Sequence, residues 1–421
     1  MNRKFLVIGI IGLAVVVLVA VAVFGVGKKP ASPERQALEM WGFGDDDTVW
    51  RGISAQFTEK NPHITISYRG FAEPEYRDLL VNRLAEARGP DIFLLKNAWI
   101  TKERDKILAF GPESSPVSAA QFRNIFVDGA ADELADNRGM ILGFPLFMDS
   151  LALFYNKDLF DSAGIAAAPA TWDDVARISQ TLTAISPSGE IARSGMALGA
   201  GANVARAMEI ASAMILQEGD PVVRPNRSVA LEEDAGRAFA FYASFADPRG
   251  KNFSWDPRMP NSLDAFADEK AAMAIGFAED VAKIRARNPR IAMGVAFLPQ
   301  FRTSVQRTSG YYLFPAVSGA TRRPDAARQF VLYLASRDGT AAYLKAASRP
   351  PARRDLIGAD PAGSPADLFA RQALIARSWP VPDEQASRRI FNDALDQAAN
   401  KTLSIPEALG RIREQLRLLL P

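Results

Sequence analysis

The stretch Leu151-Ala152-Leu153-Phe154-Tyr155-Asn156-Lys157-Asp158-Leu159-Phe160, followed after a short break by Thr171-Trp172-Asp173-Asp174, decides how the chain folds. Leu151 to Tyr155 reads as a strand, and Thr171 with Asp174 three residues on reads as the capping pair that opens a helix. The same alternation extends in both directions. Upstream, Leu38 to Phe43 and Ile64 to Tyr68 are expected strands, and Tyr76, Leu79, Leu80 and Leu84 form the apolar stripe of the helix that follows. Asp91 to Leu95 is expected as a strand buried on both faces. Downstream, strands are expected near Met196 to Leu198 and Ala272 to Ile275. Helices dominate the end of the chain, where Ser404 and Glu407 form a capping box ahead of Ile405, Leu409, Ile412, Leu416 and Leu419 on one face. Strand and helix in alternation predict an α/β fold, a mainly parallel sheet covered by helices.

At 421 residues the chain has the length of two domains, or of two lobes of one. Its 50 Lys and Arg against 48 Asp and Glu give a formal net charge of +2, too weak a field to imply a nucleic-acid partner. The absence of cysteine removes disulfides, thiolate metal sites, cysteine nucleophiles and the lipidated cysteine of a bacterial lipoprotein. The single histidine, His63, lies in an Asn61-Pro62-His63 turn, which leaves little for histidine-based metal or triad chemistry. A chain that is 48% hydrophobic and 23% charged is an ordinary folded one.

Phe5 to Gly27 runs for 23 residues without a charge, between Arg3-Lys4 and Lys28-Lys29. As a helix it would cover about 30 Å of hydrocarbon, enough to cross a membrane. A secretory signal usually has a shorter apolar region of roughly 7–15 residues, and Ala20-Val21-Ala22 lies inside the run rather than after it. An uncleaved signal anchor is therefore the first expectation and a cleaved signal the second. Both export the rest of the chain. Lys28 to Gln36, with Pro30 and Pro33, reads as an extended linker off the membrane.

No P-loop, dinucleotide-binding glycine run, His-Glu-x-x-His or Gly-x-Ser-x-Gly occurs, and no cofactor or metal is expected. Trp41-Gly42-Phe43-Gly44 follows a strand but continues into Asp45-Asp46-Asp47, carboxylates that would repel a pyrophosphate. Such a triplet suits a hard cation, although a solvated strand-to-helix turn explains it as well.

The run from Phe144-Pro145 through Asp149 and Tyr155-Asn156-Lys157-Asp158 to Pro169-Ala170-Thr171-Trp172 resembles the extracellular solute-binding proteins of sugar-type ABC importers, the maltose-binding-protein-like group (family 1). Gly89-Pro90-Asp91-Ile92, Ala272-Met273-Ala274-Ile275-Gly276, Ser309-Gly310-Tyr311 and Arg349-Pro350-Pro351-Ala352-Arg353 resemble further family motifs, so the likeness runs from about Leu38 to Leu420. It implies a two-lobed periplasmic-binding-protein-like fold (class II). The lobes would comprise 37–149 with 312–378, and 150–311 with 379–421, hinged near Asp149, Tyr311 and Trp379, with ligand held in the cleft.

A sugar presents hydroxyls that donate and accept, and apolar C–H faces, so its cleft needs amides or carboxylates around aromatic platforms. Loops at the C-terminal ends of parallel strands are where such groups converge. Trp41, Phe43 and Asp45 follow the first strand, offering a stacking ring and a hydroxyl acceptor, with core packing as the competing role of Trp41, and Asn97 and Trp99 follow the third. Asp149 stands in a crossing segment where the family often carries an acid that binds hydroxyls, with a hinge hydrogen bond as its competing role. Asn203 follows the Met196 to Leu198 strand and begins a helix, so a capping role competes with ligand binding. Phe277 stands where the family frequently has a stacking tryptophan, with Glu279 beside it. Tyr311, Arg349 and Trp379 complete the set, with an ion pair as the competing role of Arg349 and interlobe packing that of Trp379.

The resemblance implies a membrane-tethered, monomeric, non-enzymatic receptor that captures a carbohydrate or related polyol and delivers it to ABC permease subunits. Two other readings stay open. One is a sensor whose liganded form docks to a membrane receptor. The other is a glycan-acting enzyme using Asp149 and Glu279 as acid and base.

Overall fold

The computed structural model describes residues 34–420 apart from 220, 225 and 303. The apolar segment 5–27 and residues 28–33 of the expected linker lie outside the described residues. Among those described, no helix is long and apolar enough to cross a membrane.

In chain order, the elements that position the site are β1 (Gln36–Phe43), α1 (Asp47–Lys60), β2 (Ile64–Phe71), α2 (Glu73–Ala85), β3 (Ile92–Lys96), β4 (Asp149–Ser150), β5 (Ala152–Asn156), α3 (Trp172–Leu182), α4 (Ala207–Glu218), β6 (Met273–Gly276), α5 (Ala278–Arg287), β7 (Met293–Phe297), β8 (Thr308–Tyr311), β9 (Leu313–Val317), β10 (Ala376–Arg377), α6 (Glu384–Ala399) and α7 (Ile405–Leu419). Local chemistry starts the helices where the sequence suggests. The Asp46 carboxylate accepts the Thr48 N–H at 2.7 Å, the Thr171 hydroxyl accepts the Asp174 N–H at 3.2 Å, and Ser404 with Glu407 forms a capping box.

Two hydrophobic cores divide the chain. The first gathers Trp50, Phe57, Tyr76, Phe93, Phe144 and Phe330 around a four-stranded sheet in the order β9-β3-β1-β2. There β1 runs parallel to β2 and β3, while β9 runs antiparallel to β3. The second core gathers Phe154, Trp172, Phe239, Trp255, Phe391 and Ile412 around a β6-β5-β7 sheet. The fold is α/β and two-lobed.

Two expectations need correction. The sheet of the second lobe is antiparallel throughout, because β6 and β7 both pair antiparallel with β5. Helix-and-strand alternation along the chain does not fix strand direction when long connections intervene. Met196 to Leu198 is not a strand. The nearby strand is Ile191–Arg193, in a two-stranded ribbon, and the later segment keeps only isolated bonds such as Ala197 N–H to the Met273 carbonyl at 3.0 Å.

Between the lobes lies a short three-stranded sheet, β10-β8-β4. In it Tyr311 pairs directly with Asp149 and Gly310 with Ser150, antiparallel, while β10 runs parallel to β8. Lobe-to-lobe crossings therefore run side by side, hydrogen-bonded to one another, immediately beneath the cleft.

Candidate functional site

Where the two cores meet, a cavity of about 80 Å³ is lined from both sides. The ends of β1 and β3 bring Phe43, Lys96 and Asn97 from the first lobe. The turn from β6 into α5 brings Phe277 and Glu279 from the second, and the crossing segments add Tyr311 and Trp379. That turn is tight: a Cβ on Gly276 would sit 2.6 Å from the Phe154 ring, so only glycine lets the chain pass between β5 and the cavity.

Asp149 sets the position of α5. Its carboxylate is fully buried and accepts the N–H groups of Ser150 at 2.7 Å, Ala278 at 2.8 Å and Glu279 at 3.2 Å. The last two are first-turn donors that a helix start otherwise leaves unpaired. Burial pushes the Asp149 carboxyl up to about 7, against the pull of those N–H donors.

Glu279, anchored in this way, collects cations. Arg206 donates to it at 2.6 Å, Arg349 at 2.8 Å and the Tyr311 hydroxyl at 2.5 Å. Burial alone would raise its pKa, but the charge of Arg206 and the bonds from Arg349 and Tyr311 outweigh burial and hold it well below the usual carboxylate range. Arg349 also lies 3.5 Å from Asp45 and over the Phe147 ring. A second charged group forms around Glu384, which accepts from Lys96 at 2.7 Å, Arg388 at 3.2 Å and the Trp99 indole at 2.8 Å. Arg388 in turn holds Glu209 at 2.7 Å. Aromatic faces stand among these charges, with Phe277 edge-to-face on Tyr311 at 4.9 Å between centroids.

Of the residues singled out in the sequence, Phe43, Asn97, Phe277, Glu279, Tyr311, Arg349 and Trp379 line this cavity. The other five stand outside its lining. Trp41 is two residues deeper on β1, packed at 4.9 Å on Phe71 with its indole N–H on Glu39. Asp45 is turned inward, accepting from the Tyr343 hydroxyl at 2.8 Å, while Asp46 caps α1. The carboxylates of Asp45 and Asp46 thus diverge. Trp99 lies behind Phe43 with its ring tilted, 5.1 Å between centroids, and meets the cleft through its indole N–H on Glu384. Asp149 acts through α5. Asn203 does not open a helix, since α4 starts at Ala207; it fixes a loop by accepting the Trp255 N–H at 2.8 Å and donating to the Asp256 and Met259 carbonyls. With Asp149 spent on backbone donors and Glu279 clamped between guanidinium groups, the acid–base pair of the enzyme reading is not assembled.

Lys96, Arg206, Glu209 and Glu384 also line the cavity and escape the sequence reading. Two of them carried a signal. Lys96 directly follows the apolar Ile92 to Leu95, and Glu209 is the single charge near the start of a helix whose remaining residues are mostly apolar.

The profile of the bacterial extracellular solute-binding protein family matches residues 43–341. The chain belongs to this family. The matched span begins at the last residue of β1 and takes in β2, β3, β9, the β6-β5-β7 sheet and the cavity's contributors from Phe43 to Tyr311, and membership puts this solute-binding protein on the extracytoplasmic side. A binding protein of Brucella abortus (strain 2308) is 24% identical over 127 residues, 29% of this chain and 29% of that relative, so under a third of the relative's length is matched. Among solved structures, a cyclo/maltodextrin-binding protein complexed with maltotetraose superposes with a TM-score of 0.75 at 19% identity, covering 92% of this chain and 98% of that one. An ABC transporter solute-binding protein from Thermotoga lettingae, bound with α-D-tagatose, gives 0.68 at 20% identity, covering 92% and 100%. At these identities the likeness establishes the shared two-lobed fold.

Proposed function

We propose that this solute-binding protein captures a sugar or related polyol between its lobes and delivers it to the permease of an ABC importer. The observation that carries the reading is the wall of the cavity, where the rings of Phe277 and Tyr311 stand beside amide, carboxylate and guanidinium groups contributed by both lobes. That pairing of apolar faces with multiple donors and acceptors is what a polyhydroxylated ring needs. The fold shared with the maltotetraose-bound and tagatose-bound proteins supports it.

Ligand contacts from both lobes favour the closed state over the open one by their difference in binding free energy, and the permease would recognise that closed state. The hinge is assigned to the β4, β8 and β10 crossings, with lobe limits at 37–149 with 312–378 and 150–311 with 379–421. The protein works as a monomer and catalyses no reaction, and residues 5–27 tether it to the outer face of the membrane.

Thermal stability against panels of carbohydrates, polyols, amino acids and metal ions tests this directly, since a ligand at 100 times its dissociation constant adds about 2.7 kcal/mol. A shift with one carbohydrate class is expected. A shift confined to amino acids or metal ions would refute the sugar assignment.

A further inference from the structure

Ser212 lies on α4 in the wall of the cavity, one turn after Glu209, and is 3% exposed. Its hydroxyl has no hydrogen-bond partner among the described residues. A serine or threonine inside a helix can bond back to the carbonyl one turn earlier, as Ser162 does to Asp158 at 2.7 Å and Thr181 to Arg177 at 3.1 Å. Ser212 makes no such bond. The hydroxyls of Ser54, Ser179, Ser194 and Ser387 are also buried without a partner among the described residues, but none of those residues lines the cavity. On either side of Ser212, Ala211 and Ala213 belong to the second core, so the hydroxyl keeps its place in that lobe when the hinge moves.

The charged side chains of the wall, by contrast, are engaged. Lys96 bonds Glu384 and Glu73, Glu209 bonds Arg388, Arg206 bonds Glu279 and Asp280, and Arg349 bonds Glu279 while lying 3.5 Å from Asp45. Ser378, which meets Ser212 where the wall reaches Trp379, accepts from Asn97 at 3.0 Å and donates to Glu133.

A buried hydroxyl left unpaired carries the cost of its lost hydration. A polyhydroxylated guest that reaches Ser212 restores a hydrogen bond without displacing a protein partner, and a serine hydroxyl answers either a donor or an acceptor. A site built in this way discriminates against the analogue that lacks the matching group. We propose that Ser212 is a specificity-determining ligand contact, its hydroxyl paired with one hydroxyl of the bound sugar or polyol on the α4 side of the cleft. This rests on the sugar-capture reading and adds the residue that selects for that hydroxyl.

Isothermal titration of the full-length protein and of its Ser212→Ala variant with neutral hexoses, pentoses, hexitols and malto-oligosaccharides, then with the monodeoxy derivatives of the tightest binder, tests the contact. In the wild type, one derivative is expected to bind about tenfold more weakly than its parent. Ser212→Ala should weaken the parent by a similar factor and bind parent and that derivative within about twofold of each other, while the ligand-free variant melts no lower than wild type. Three results would overturn the assignment and leave sugar capture standing: unchanged affinity of the variant for the parent, an equal loss for the parent and every derivative, or a lower melting temperature of the ligand-free variant, which would mean that the hydroxyl serves the fold. Binding of no carbohydrate or polyol by the wild type would overturn the sugar-capture reading itself.

Discussion

Arg349, carried by the first lobe, places its guanidinium 2.8 Å from the Glu279 carboxylate of the second, and both groups bond the hydroxyl of Tyr311, which pairs with Asp149 in the crossing strands. The side chains of Arg349 and Glu279 are only 9% and 23% exposed, so the pair is shielded from much of the screening that weakens surface ion pairs. Removing Arg349 leaves Glu279 to Arg206, Lys283 and Tyr311. Arg349→Met is expected to lower stability by about 1–3 kcal/mol and to weaken ligand binding at least tenfold. A double-mutant cycle with Glu279→Gln in urea denaturation should show a coupling of about 0.5–3 kcal/mol. Strict additivity would mean that the two groups do not communicate.

Asp149 gives a pH dependence of defined sign. Burial pushes its carboxyl up to about 7, from an ordinary value of 3.8. Between those values the folded protein binds a proton that the unfolded chain has released, so this group's contribution to stability falls as pH rises through the window and is constant above it. Glu279 works oppositely, its depressed pKa favouring folding above its ordinary range of about 4.5, so the comparison must be made against a variant. Wild type relative to Asp149→Asn should lose on the order of 3 kcal/mol between pH 4.5 and 7.5. A pH-independent difference would contradict the placement of this carboxylate in a dry site.

Glu133, half-buried, offers a second carboxyl with the same sign. It accepts the Tyr312 hydroxyl at 2.8 Å and the Ser378 hydroxyl, and burial raises its pKa to about 7. Glu133→Gln keeps a hydrogen-bonding group opposite hydroxyls that can donate or accept. The variant is expected to be more stable than wild type at pH 8, by about 1–3 kcal/mol, and to lose that advantage near pH 5. Chemical denaturation at the two pH values decides it.

Two aromatic substitutions separate packing from binding. Trp41→Phe should lower stability by about 1 kcal/mol through loss of the indole bond to Glu39, and leave ligand affinity within twofold, because Trp41 packs on Phe71 away from the cavity. Phe277→Ala should lower affinity at least tenfold, since its ring lines the cavity against Tyr311. The reverse ranking in calorimetry would mean that the ligand sits elsewhere.

Much of the fold could be read from short signals. The Thr171–Asp174 and Ser404–Glu407 caps, the apolar β3 and the β5 run are local, and local chemistry decides them. Strand direction in the second lobe was not legible, because it depends on which edge of β5 each later strand reaches. The site was half legible. Trp41 and Phe43 share a face of β1, but two residues correspond to roughly 6–7 Å of strand, which separates a core ring from a cavity ring. For Asp149 the sequence shows an acid in a crossing segment, open to a ligand contact or a hinge hydrogen bond, but not the helix start whose N–H groups it accepts. Arg206 and Glu384 look like ordinary helix-end charges until folding sets Arg206 on Glu279 within the second lobe and Glu384 on Lys96 of the first.

The most direct test is a crystal structure of the protein with the carbohydrate that raises its melting temperature most. The account predicts the sugar in the cleft, against Phe277 and Tyr311 and hydrogen-bonded to groups of both lobes, among them Glu279 or Arg349 and Lys96 or Asn97. A sugar bound outside the interlobe cavity, or contacting one lobe alone, would contradict it.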